Sequence, residues 1–318
     1  MAFYDIFNGD ADGLCALQQL RLDAPRAATL VTGTKRDIAL LDRIAPAAGD
    51  ELTVLDVSMR ANASGLRRAL AAGARVQWFD HHDAGDVPDH PALAANLDFA
   101  AGICTALIVD RHVSGRHRAW ALAGAFGDNL AGIALAGAAT MGLDAHSIAR
   151  LRQVGECLNY NAYGDRVDEL MFPPAELYRR LGPFEDPVTF AERDDAIAVL
   201  DRSRRDDLVR ALTIRPALAG ASATAVILPD APWSRRISGT LANHLATEDP
   251  GRATAVLTPS RGAYTVSLRA PRAHPAGAEQ LAREFGGGGR AAASGINGLP
   301  ESEVPRLLAA FRAAFTSA

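Results

Sequence analysis

The first eighty residues repeat one pattern, in which a short apolar run is followed by a polar turn and a stretch of helical length. The apolar runs cover residues 3–7, 28–32, 52–55 and 76–79, and the intervening stretches begin near Gly13, Asp37 and Asn62. Strands that alternate with helices form βαβ units, whose strands lie parallel in one sheet. The predicted fold class is therefore α/β, with an N-terminal parallel sheet that carries helices on both faces.

The sequence pattern changes after a segment rich in Pro, Gly and Ala, IRPALAGAS, at residues 214–222. The charged stretch before it, 186–212, predicts an exposed helix. After it we predict strands at 224–228, 254–258 and 264–270, with a hairpin at PSRG and helices at 236–247 and 277–285. Because 318 residues exceed the usual size of one hydrophobic core, we predict a domain at 1–185, a connecting segment at 186–215 and a smaller α/β domain at 216–318.

Charge and cysteine content narrow the classes of partner. The chain has 33 Lys and Arg against 37 Asp and Glu, so no global positive field gathers long polyanions, and a short anionic ligand fits better than duplex DNA. The three cysteines show no zinc-site spacing, and the N-terminus shows no secretory pattern. We therefore expect a cytoplasmic protein that does not enter the membrane, and a homodimer is left open.

One segment, residues 129–143, is apolar for most of its length and rich in Ala and Gly. It is shorter than the roughly 18 residues expected of a membrane-spanning helix. We predict that it forms a helix buried inside the protein.

Carboxylates and imidazoles follow three of the predicted strands, at the point where each strand ends. The residues are Asp10 and Asp12 after the first strand, Asp56 after the third, and Asp80, His81 and His82 after the fourth. The carboxyl ends of parallel strands line the ligand crevice of an open α/β sheet. Converging carboxylates need cations, and oxygen plus imidazole donors suit Mn²⁺ or Mg²⁺. A lone Asp here would simply cap the next helix, but a cluster on three strand ends favours a metal site.

Four ordered motifs resemble those of the DHH phosphoesterases, a family that includes RecJ exonucleases, nano-RNases, cyclic-dinucleotide phosphodiesterases and family II pyrophosphatases. The motifs are NGDADG, VLDVS, FDHH and AFGDN. The C-terminal run GGGGRAAASGIN, preceded by VSLRAP, resembles the glycine-rich signature of the DHHA1 domain. The resemblance implies metal-dependent hydrolysis of phosphodiester or phosphomonoester bonds in short single-stranded oligonucleotides, dinucleotides or nucleotides.

The resemblance also implies roles for individual residues around two Mn²⁺ ions, with Mg²⁺ as the alternative. One ion would be bound by Asp12, Asp56, His81 and Asp128, and the other by Asp10 and the bridging Asp56. Asn8 would add a carbonyl oxygen to the weaker site. His82 would contact the scissile phosphate, and Asp80 would orient a histidine.

The sequence departs from the family pattern at two positions. Ile6 stands where the family has a metal-binding histidine, and Arg290 stands where the family's glycine motif ends in histidine. Because RAAASG follows the run, we expect the N–H groups of Gly287, Gly288 and Gly289 to lie at a helix start that binds anions. Arg290, Arg269 and Asn243 are predicted substrate contacts.

Several alternatives stay open on the sequence alone. Lys35 and Arg36 follow the second strand and either contact substrate or form a solvated turn. The chain is an enzyme that acts on dinucleotides or nucleotides, an enzyme that hydrolyses polyphosphate or pyrophosphate, or a nucleotide-binding sensor whose metal site has decayed. The motivation for the sensor is the pair of departures at Ile6 and Arg290.

Overall fold

The computed structural model describes residues 1–316 and divides into two compact units, Met1–Asp201 and Arg202–Ala318. The division falls inside a helix, Ala196–Leu212, which itself lies in the predicted connecting segment 186–215. Each unit has its own sheet. The predicted α/β class is confirmed.

Residues 1–201 contain a five-stranded sheet with helices packed against it. The strands are β1 (Phe3–Phe7), β2 (Thr29–Val31), β3 (Glu51–Leu55), β4 (Arg75–Asp80) and β5 (Leu93–Leu97). The helices, of which the last continues into the second unit, are α1 (Ala11–Asp23), α2 (Ala63–Ala71), α3 (Thr105–His112), α4 (Arg118–Gly127), α5 (Ala131–Thr140), α6 (Ala145–Asn161), α7 (Pro174–Leu181), α8 (Pro187–Arg193) and α9 (Ala196–Leu212).

The strand order is β2-β1-β3-β4-β5, and each neighbouring pair is parallel. The chain therefore leaves β1 toward one side of the sheet and returns with β3 on the other side. Ligands of such sheets bind where the order reverses, outside the carboxyl ends of the strands. The reversal lies between β1 and β3, so the topology brings Asp10, Asp12 and Asp56 to the same edge.

The two faces of the sheet differ in what they bury. Ile6 on β1 lies with Leu41 and Val54 in an apolar cluster that includes residues of α2. Its neighbour Asp5 points to the opposite face, where it pairs with Arg21 of α1. Side chains alternate along a strand, so one strand supports both helical layers. The predicted helices on both faces are confirmed.

Close backbone contact between α4 and α6 depends on glycine. A Cβ added at Gly155 of α6 would lie 2.1 Å from the carbonyl oxygen of Ala123, and one added at Gly127 of α4 would lie 2.8 Å from the carbonyl oxygen of Gly155. No side chain fits at these distances. The contact therefore fixes the end of α4, from which Asp128 extends.

We expect Gly155→Ala to lower the free energy of unfolding by about 1–3 kcal/mol, because the added methyl forces α4 and α6 apart. Denaturant unfolding followed by circular dichroism measures the change. Gly132→Ala is the matched control, since a Cβ there in α5 meets nothing within 4 Å. That variant should be unchanged or stabilised by about 0.5–1 kcal/mol. Equal stability of the two variants would contradict the packing argument.

The prediction of a helix that begins near Asp37 is wrong. The segment forms only a short 3₁₀ helix, Leu40–Arg43. Asp37 instead accepts a hydrogen bond from the backbone of Thr34, which closes a turn, and Leu41 N–H donates to the Asn62 side chain. These side-chain bonds replace the backbone pairing that a helix would need.

The burial predicted for residues 129–143 is also wrong, although the helix itself is present as α5. Only Ala134 and Ala138 of this helix are buried, whereas Ile133 and Leu135 are 45% and 41% exposed. The small side chains at i and i+4 form the packed stripe, and the larger ones point to the outside. An apolar composition did not specify which face would be covered.

The second unit contains a six-stranded sheet in residues 202–316. Its strands are β6 (Leu218–Ala219), β7 (Ala223–Ile227), β8 (Ala253–Ser260), β9 (Ala263–Arg269), β10 (Gly288–Arg290) and β11 (Ala293–Leu299), and its helices are α10 (Pro232–Glu248), α11 (Ala278–Glu284) and α12 (Val304–Thr316). The order is β10-β11-β9-β8-β7-β6, with β7 and β8 parallel and the other pairs antiparallel. The hairpin predicted at PSRG is confirmed between β8 and β9, where Arg261 and Gly262 have φ of 52° and 79°.

The helix predicted after the glycine run is wrong. The run continues into β10, which pairs antiparallel with β11. A Cβ at Gly287 would lie 2.2 Å from the carbonyl oxygen of Gly295, and Gly289 has φ of 143° with Ser294 Cα 2.6 Å from its Cβ position. The glycines therefore allow two strands to approach closely, and the expected anion site at a helix start is absent from this segment.

Two further features concern the cysteines and membrane-spanning helices. Cys15, Cys104 and Cys157 are free and buried. Within residues 1–316, no helix combines the length and the apolar character that crossing a membrane requires.

Candidate metal centre

A cavity of about 180 Å³ opens at the carboxyl ends of β1, β3 and β4. It is lined by Asn8, Asp10, Lys35, Ile38, Asp56, Ser58, His81, His82 and Asp128. The structure thus brings together six of the predicted site residues from four separate motifs. Asp12 and Asp80 are buried, with exposures of 1% and 0%, and each lies next to a site histidine.

Asp10 and Asp12 are fixed by the start of two helices. Asp10 caps α1 and accepts hydrogen bonds from the backbone N–H groups of Asp12 and Gly13, at 3.0 and 3.2 Å. Asp12 accepts from the N–H groups of Thr105 and Ala106 at the start of α3, each at 2.7 Å. Asp10 is therefore both a helix cap and a site residue. The positive ends of two helices stabilise these buried carboxylates.

Asp56 sits in a backbone conformation that L residues rarely adopt, with φ of 57°. This conformation turns the chain sharply after β3 and leaves the carboxyl group 2% exposed in the cavity wall. Burial, together with the charges of Asp12 and Asp10, raises the pKa of Asp56 well above its ordinary value. Backbone strain of this kind is commonly found at functional sites.

His81 and His82 occupy different positions despite being adjacent. His81 Nε2 lies 3.5 Å from Asp56 Oδ1 and 3.8 Å from Asp12 Oδ2. His82 Nδ1 lies 2.7 Å from Asp80 Oδ1, and its side chain is 46% exposed. Burial lowers the pKa of His82, but the hydrogen bond and charge of Asp80 outweigh burial and raise it. His81 thus joins the carboxylates, while His82 is oriented by Asp80.

Asp128 enters the cavity from the end of α4. Burial and the nearby charge of Asp12 raise the pKa of Asp128 to about 6. A half-buried carboxyl group with this pKa carries its charge at neutral pH only at a free-energy cost, which a cation would remove.

The residues present fit a divalent cation. One donor atom each from Asp56, His81 and His82 lies within 4.8 Å of the others, and Asp12 Oδ2 lies near the same histidine. Among the described residues, the buried Asn8 Oδ1 also has no hydrogen-bond partner. Carboxylate, carbonyl and imidazole donors suit Mn²⁺ and Mg²⁺, and a cation would relieve the repulsion that raises the pKa of Asp56.

Sequence reasoning left the role of Lys35 undecided between substrate contact and a solvated turn. Its ammonium group donates hydrogen bonds to Asp10 Oδ2 and to Asn159 Oδ1, the latter at 3.2 Å, and lies 5.6 Å from the centre of the Tyr163 ring. The solvated-turn alternative is therefore wrong. Lys35 is the only lysine of the sequence, and the other 32 of its 33 basic residues are arginines. This compositional signal could have identified it.

The second unit aligns its predicted substrate residues in one row. Arg290 on β10 pairs with Ala293 on β11, which pairs with Arg269 on β9. Paired residues project from the same face, and strands lie about 4.8 Å apart, so the two arginines flank a small alanine. Arg269 Nε donates to Asn243 Oδ1 of α10 at 2.8 Å. Asn243 therefore orients Arg269.

Comparison with known proteins agrees with both units. Residues 220–317 match the family model of the DHHA1 domain. The chain carries a DHHA1 domain. This domain occupies most of the second unit, and the resemblance to the DHH/DHHA1 proteins drawn from the sequence motifs is confirmed. No curated protein matches the sequence.

Solved structures share the fold over almost the whole chain at low identity. A DHH domain described as a member of a family of ribosomal proteins is 13% identical with a TM-score of 0.63, over 98% of this chain and 86% of that one. RecJ from Thermus thermophilus, solved with Mn²⁺, is 17% identical with a TM-score of 0.58, over 98% and 51%. The pGpG-specific phosphodiesterase PggH of Vibrio cholerae is 15% identical with a TM-score of 0.53, over 98% and 97%. The chain therefore spans about half of the RecJ chain.

Proposed function

We propose that this protein is a divalent-metal-dependent phosphoesterase that hydrolyses phosphodiester or phosphomonoester bonds of short oligonucleotides, dinucleotides or nucleotides. The observation that carries the proposal is the convergence of Asp10, Asp56 and His81 on one cavity, with Asp12 buried next to His81. The raised pKa of Asp56 supports a site built to be neutralised by a cation. Mn²⁺ is the proposed ion, with Mg²⁺ as the alternative.

Some residues in and beside the cavity are proposed to bind the metal ion, and His82 is proposed to contact the substrate. Asp12, Asp56, His81 and Asp128 would hold the metal, which supplies an activated water and stabilises charge at phosphorus. His82, which is bonded to Asp80, lines the cavity and is 46% exposed. It is proposed to donate a hydrogen bond to the reacting phosphate or a proton to the leaving oxygen.

The substrate class is proposed from charge and from a similar protein. A net charge of −4 gives no field for long polyanions, whereas the row of Arg269 and Arg290 offers two guanidinium groups to a phosphate or a base. PggH, which shares the fold over nearly its whole length, is named for the dinucleotide pGpG. A compact dinucleotide or short oligonucleotide therefore fits better than a long strand.

A turnover screen with Mn²⁺ or Mg²⁺ tests the proposal. The substrates are linear and cyclic dinucleotides, 3′-phosphoadenosine phosphate, pyrophosphate and polyphosphate. We expect mononucleotide release from linear dinucleotides, with higher rates in Mn²⁺. Phosphate release from pyrophosphate or polyphosphate alone would instead support the polyphosphate hydrolase alternative, which a similar exopolyphosphatase-related protein also motivates.

A nucleotide-binding sensor is the second candidate. It is favoured by Ile6, which offers no ligand, and by the Lys35 ammonium group on Asp10. Saturable binding of a dinucleotide, with no turnover of any substrate in Mn²⁺ or Mg²⁺, would favour the sensor over the enzyme.

Arg269→Ala and Arg290→Ala should each raise KM by about 10- to 150-fold, which corresponds to about 1.5–3 kcal/mol for a charged hydrogen bond. The proposed contacts hold a non-reacting phosphate or base, which changes little between ground and transition states, so kcat should stay nearly constant. Steady-state kinetics on the best substrate measures both constants.

Arg283→Ala is the matched control, because Arg283 lies on α11 just before the glycine run and is 72% exposed. It should leave KM unchanged. A loss of kcat at saturating substrate with a constant KM would mean that the mutated arginine contacts the reacting phosphoryl group instead.

A further inference from the structure

The only lysine of a chain with 32 arginines lies in the wall of the metal centre. Lys35 Nζ bonds to Asp10 Oδ2 and lies 3.2 Å from Asn159 Oδ1, and 26% of its side chain remains exposed to the cavity. An ammonium group has three donors and no acceptor. Two are used by the protein, so one is left for a group inside the cavity.

The position of Lys35 is built by several elements. Its backbone N–H donates to the carbonyl oxygen of Ala162 at 2.9 Å, just after α6. Its carbonyl oxygen accepts from Asn8 Nδ2 at 3.3 Å. Two segments distant in sequence therefore hold this residue in place, which a merely solvated turn would not require.

Asp10 already faces a cation of the protein itself. Its Oδ1 accepts two backbone N–H bonds at the start of α1, and its Oδ2 accepts from Lys35. No second ligand comes from β1, because Ile6 is fully buried in the apolar cluster beneath the sheet. Beside Asp10, the Asn8 Oδ1 atom is a donor without a hydrogen-bond partner among the described residues, but it carries no charge with which to hold a divalent cation.

The remaining donors gather around a single point. His81 Nε2 lies 3.5 Å from Asp56 Oδ1 and 3.8 Å from Asp12 Oδ2. We propose that the Lys35 ammonium group takes the place of a second divalent cation, so that the centre binds one metal ion beside a positive charge carried by the protein itself. This inference rests on the proposed function for its chemical meaning, and it replaces the two-ion arrangement that the family resemblance implies.

The chemistry explains why this position carries lysine in a chain that otherwise uses arginine. Lysine ends in a compact, tetrahedral point charge, whereas the guanidinium group of arginine is planar and needs a wider, bidentate partner. The compact ammonium group can occupy the position of a metal ion, with Asp10, Asn159 and a phosphate oxygen around it, whereas a guanidinium group cannot. In the proposed reaction the third N–H of Lys35 would stabilise negative charge on a non-bridging oxygen of the phosphoryl group.

Metal stoichiometry of the wild-type protein is the direct test. Equilibrium dialysis against Mn²⁺ at neutral pH should give one ion per chain, and the paramagnetic resonance spectrum should be that of an isolated ion. Two ions per chain with the coupled spectrum of a pair about 3.5–4 Å apart would overturn the proposal. Absence of any bound Mn²⁺ would overturn it as well.

Lys35→Ala and Lys35→Gln extend the test. Two variants are used so that one remains informative if the other fails to fold. Each frees Asp10, so the stoichiometry should rise from one toward two ions per chain as Mn²⁺ is increased. Arg36→Ala, which removes a positive charge from the next residue, should still bind one. Lysine variants that fold and keep one ion at unchanged affinity would overturn the exclusion of a second cation by Lys35.

These readouts do not depend on turnover. One bound ion without hydrolysis of any substrate would contradict the proposed phosphoesterase and leave the single-ion centre standing. Two bound ions with hydrolysis would support the proposed phosphoesterase and contradict the single-ion centre.

Discussion

Replacing Asp56 by Asn should lower kcat by about 10³-fold or more, because the amide lacks the charge that would bind the proposed metal ion. Asp56 is the carboxylate closest to His81, and it accepts a hydrogen bond from Thr105 Oγ1 at 3.2 Å. Asparagine preserves shape and the acceptor oxygen, so the loss reports on charge. Steady-state kinetics with saturating Mn²⁺ and a dialysis measurement of Mn²⁺ affinity check the prediction.

The same substitution should not destabilise the metal-free protein. The pKa of Asp56 is raised by burial and by neighbouring carboxylates, so between the ordinary pKa of aspartate and this raised pKa the folded state holds a proton that the unfolded state has released. Stability from this group therefore falls as pH rises above the ordinary pKa of aspartate, and asparagine removes that loss. The melting temperature without metal should equal or exceed that of the wild type at pH 7.

Asp83→Asn is the matched control, because Asp83 lies in the same loop as the histidines and is 72% exposed. It should retain wild-type kcat and Mn²⁺ affinity. If Asp56→Asn retained both as well, the metal centre would not depend on Asp56, and the proposed function would lose its main support.

Replacing His82 by Ala should lower kcat by about 10²- to 10⁴-fold, the range of a positioned acid or base, without changing Mn²⁺ stoichiometry. The reason is geometric, since His82 Nδ1 is engaged by Asp80 at 2.7 Å and its other nitrogen is free to face a substrate. Asp80→Asn should act through His82 and cost less, about 10- to 100-fold. Parallel measurements of kcat and of bound Mn²⁺ separate the two effects.

The positions of the donor atoms also define the result that would contradict this role of His82. Donor atoms of Asp56, His81 and His82 lie within 4.8 Å of one another, so His82 has the position of a ligand if its ring turns. Loss of Mn²⁺ binding in His82→Ala, with the fold intact, would make His82 a metal ligand and leave the proton transfer to another group.

Local patterns in the sequence identified most of the framework. The four strand predictions of the first unit match β1 to β4 within two residues at each end, because buried parallel strands are short apolar runs with polar ends. The PSRG hairpin and the order of the acidic motifs follow equally from local residue types. Strand β5 was missed, since its sequence LAANL carries little of the β-branched signal that marks a strand.

Burial was the property that sequence patterns predicted least well. Helix α5 is apolar yet largely exposed, because packing selected its Ala134 and Ala138 stripe rather than its larger side chains. The glycine run predicted an anion site at a helix start, but close approach to β11 gave the glycines a different purpose. In both cases the deciding contact is with an element distant in sequence.

The sequence by itself determined the α/β class, the βαβ order and the presence of carboxylates and histidines at the ends of three strands, because each depends on residues close together in the chain. Only the tertiary structure decided which of these side chains meet at one cavity and which pair among themselves. Lys35 reaches Asp10 across 25 residues and Asn159 across 124, and Ile6 faces an apolar core rather than the cavity. Such pairings depend on how the sheet reverses its order between β1 and β3, and no local pattern encodes the distance between two side chains that meet only after folding.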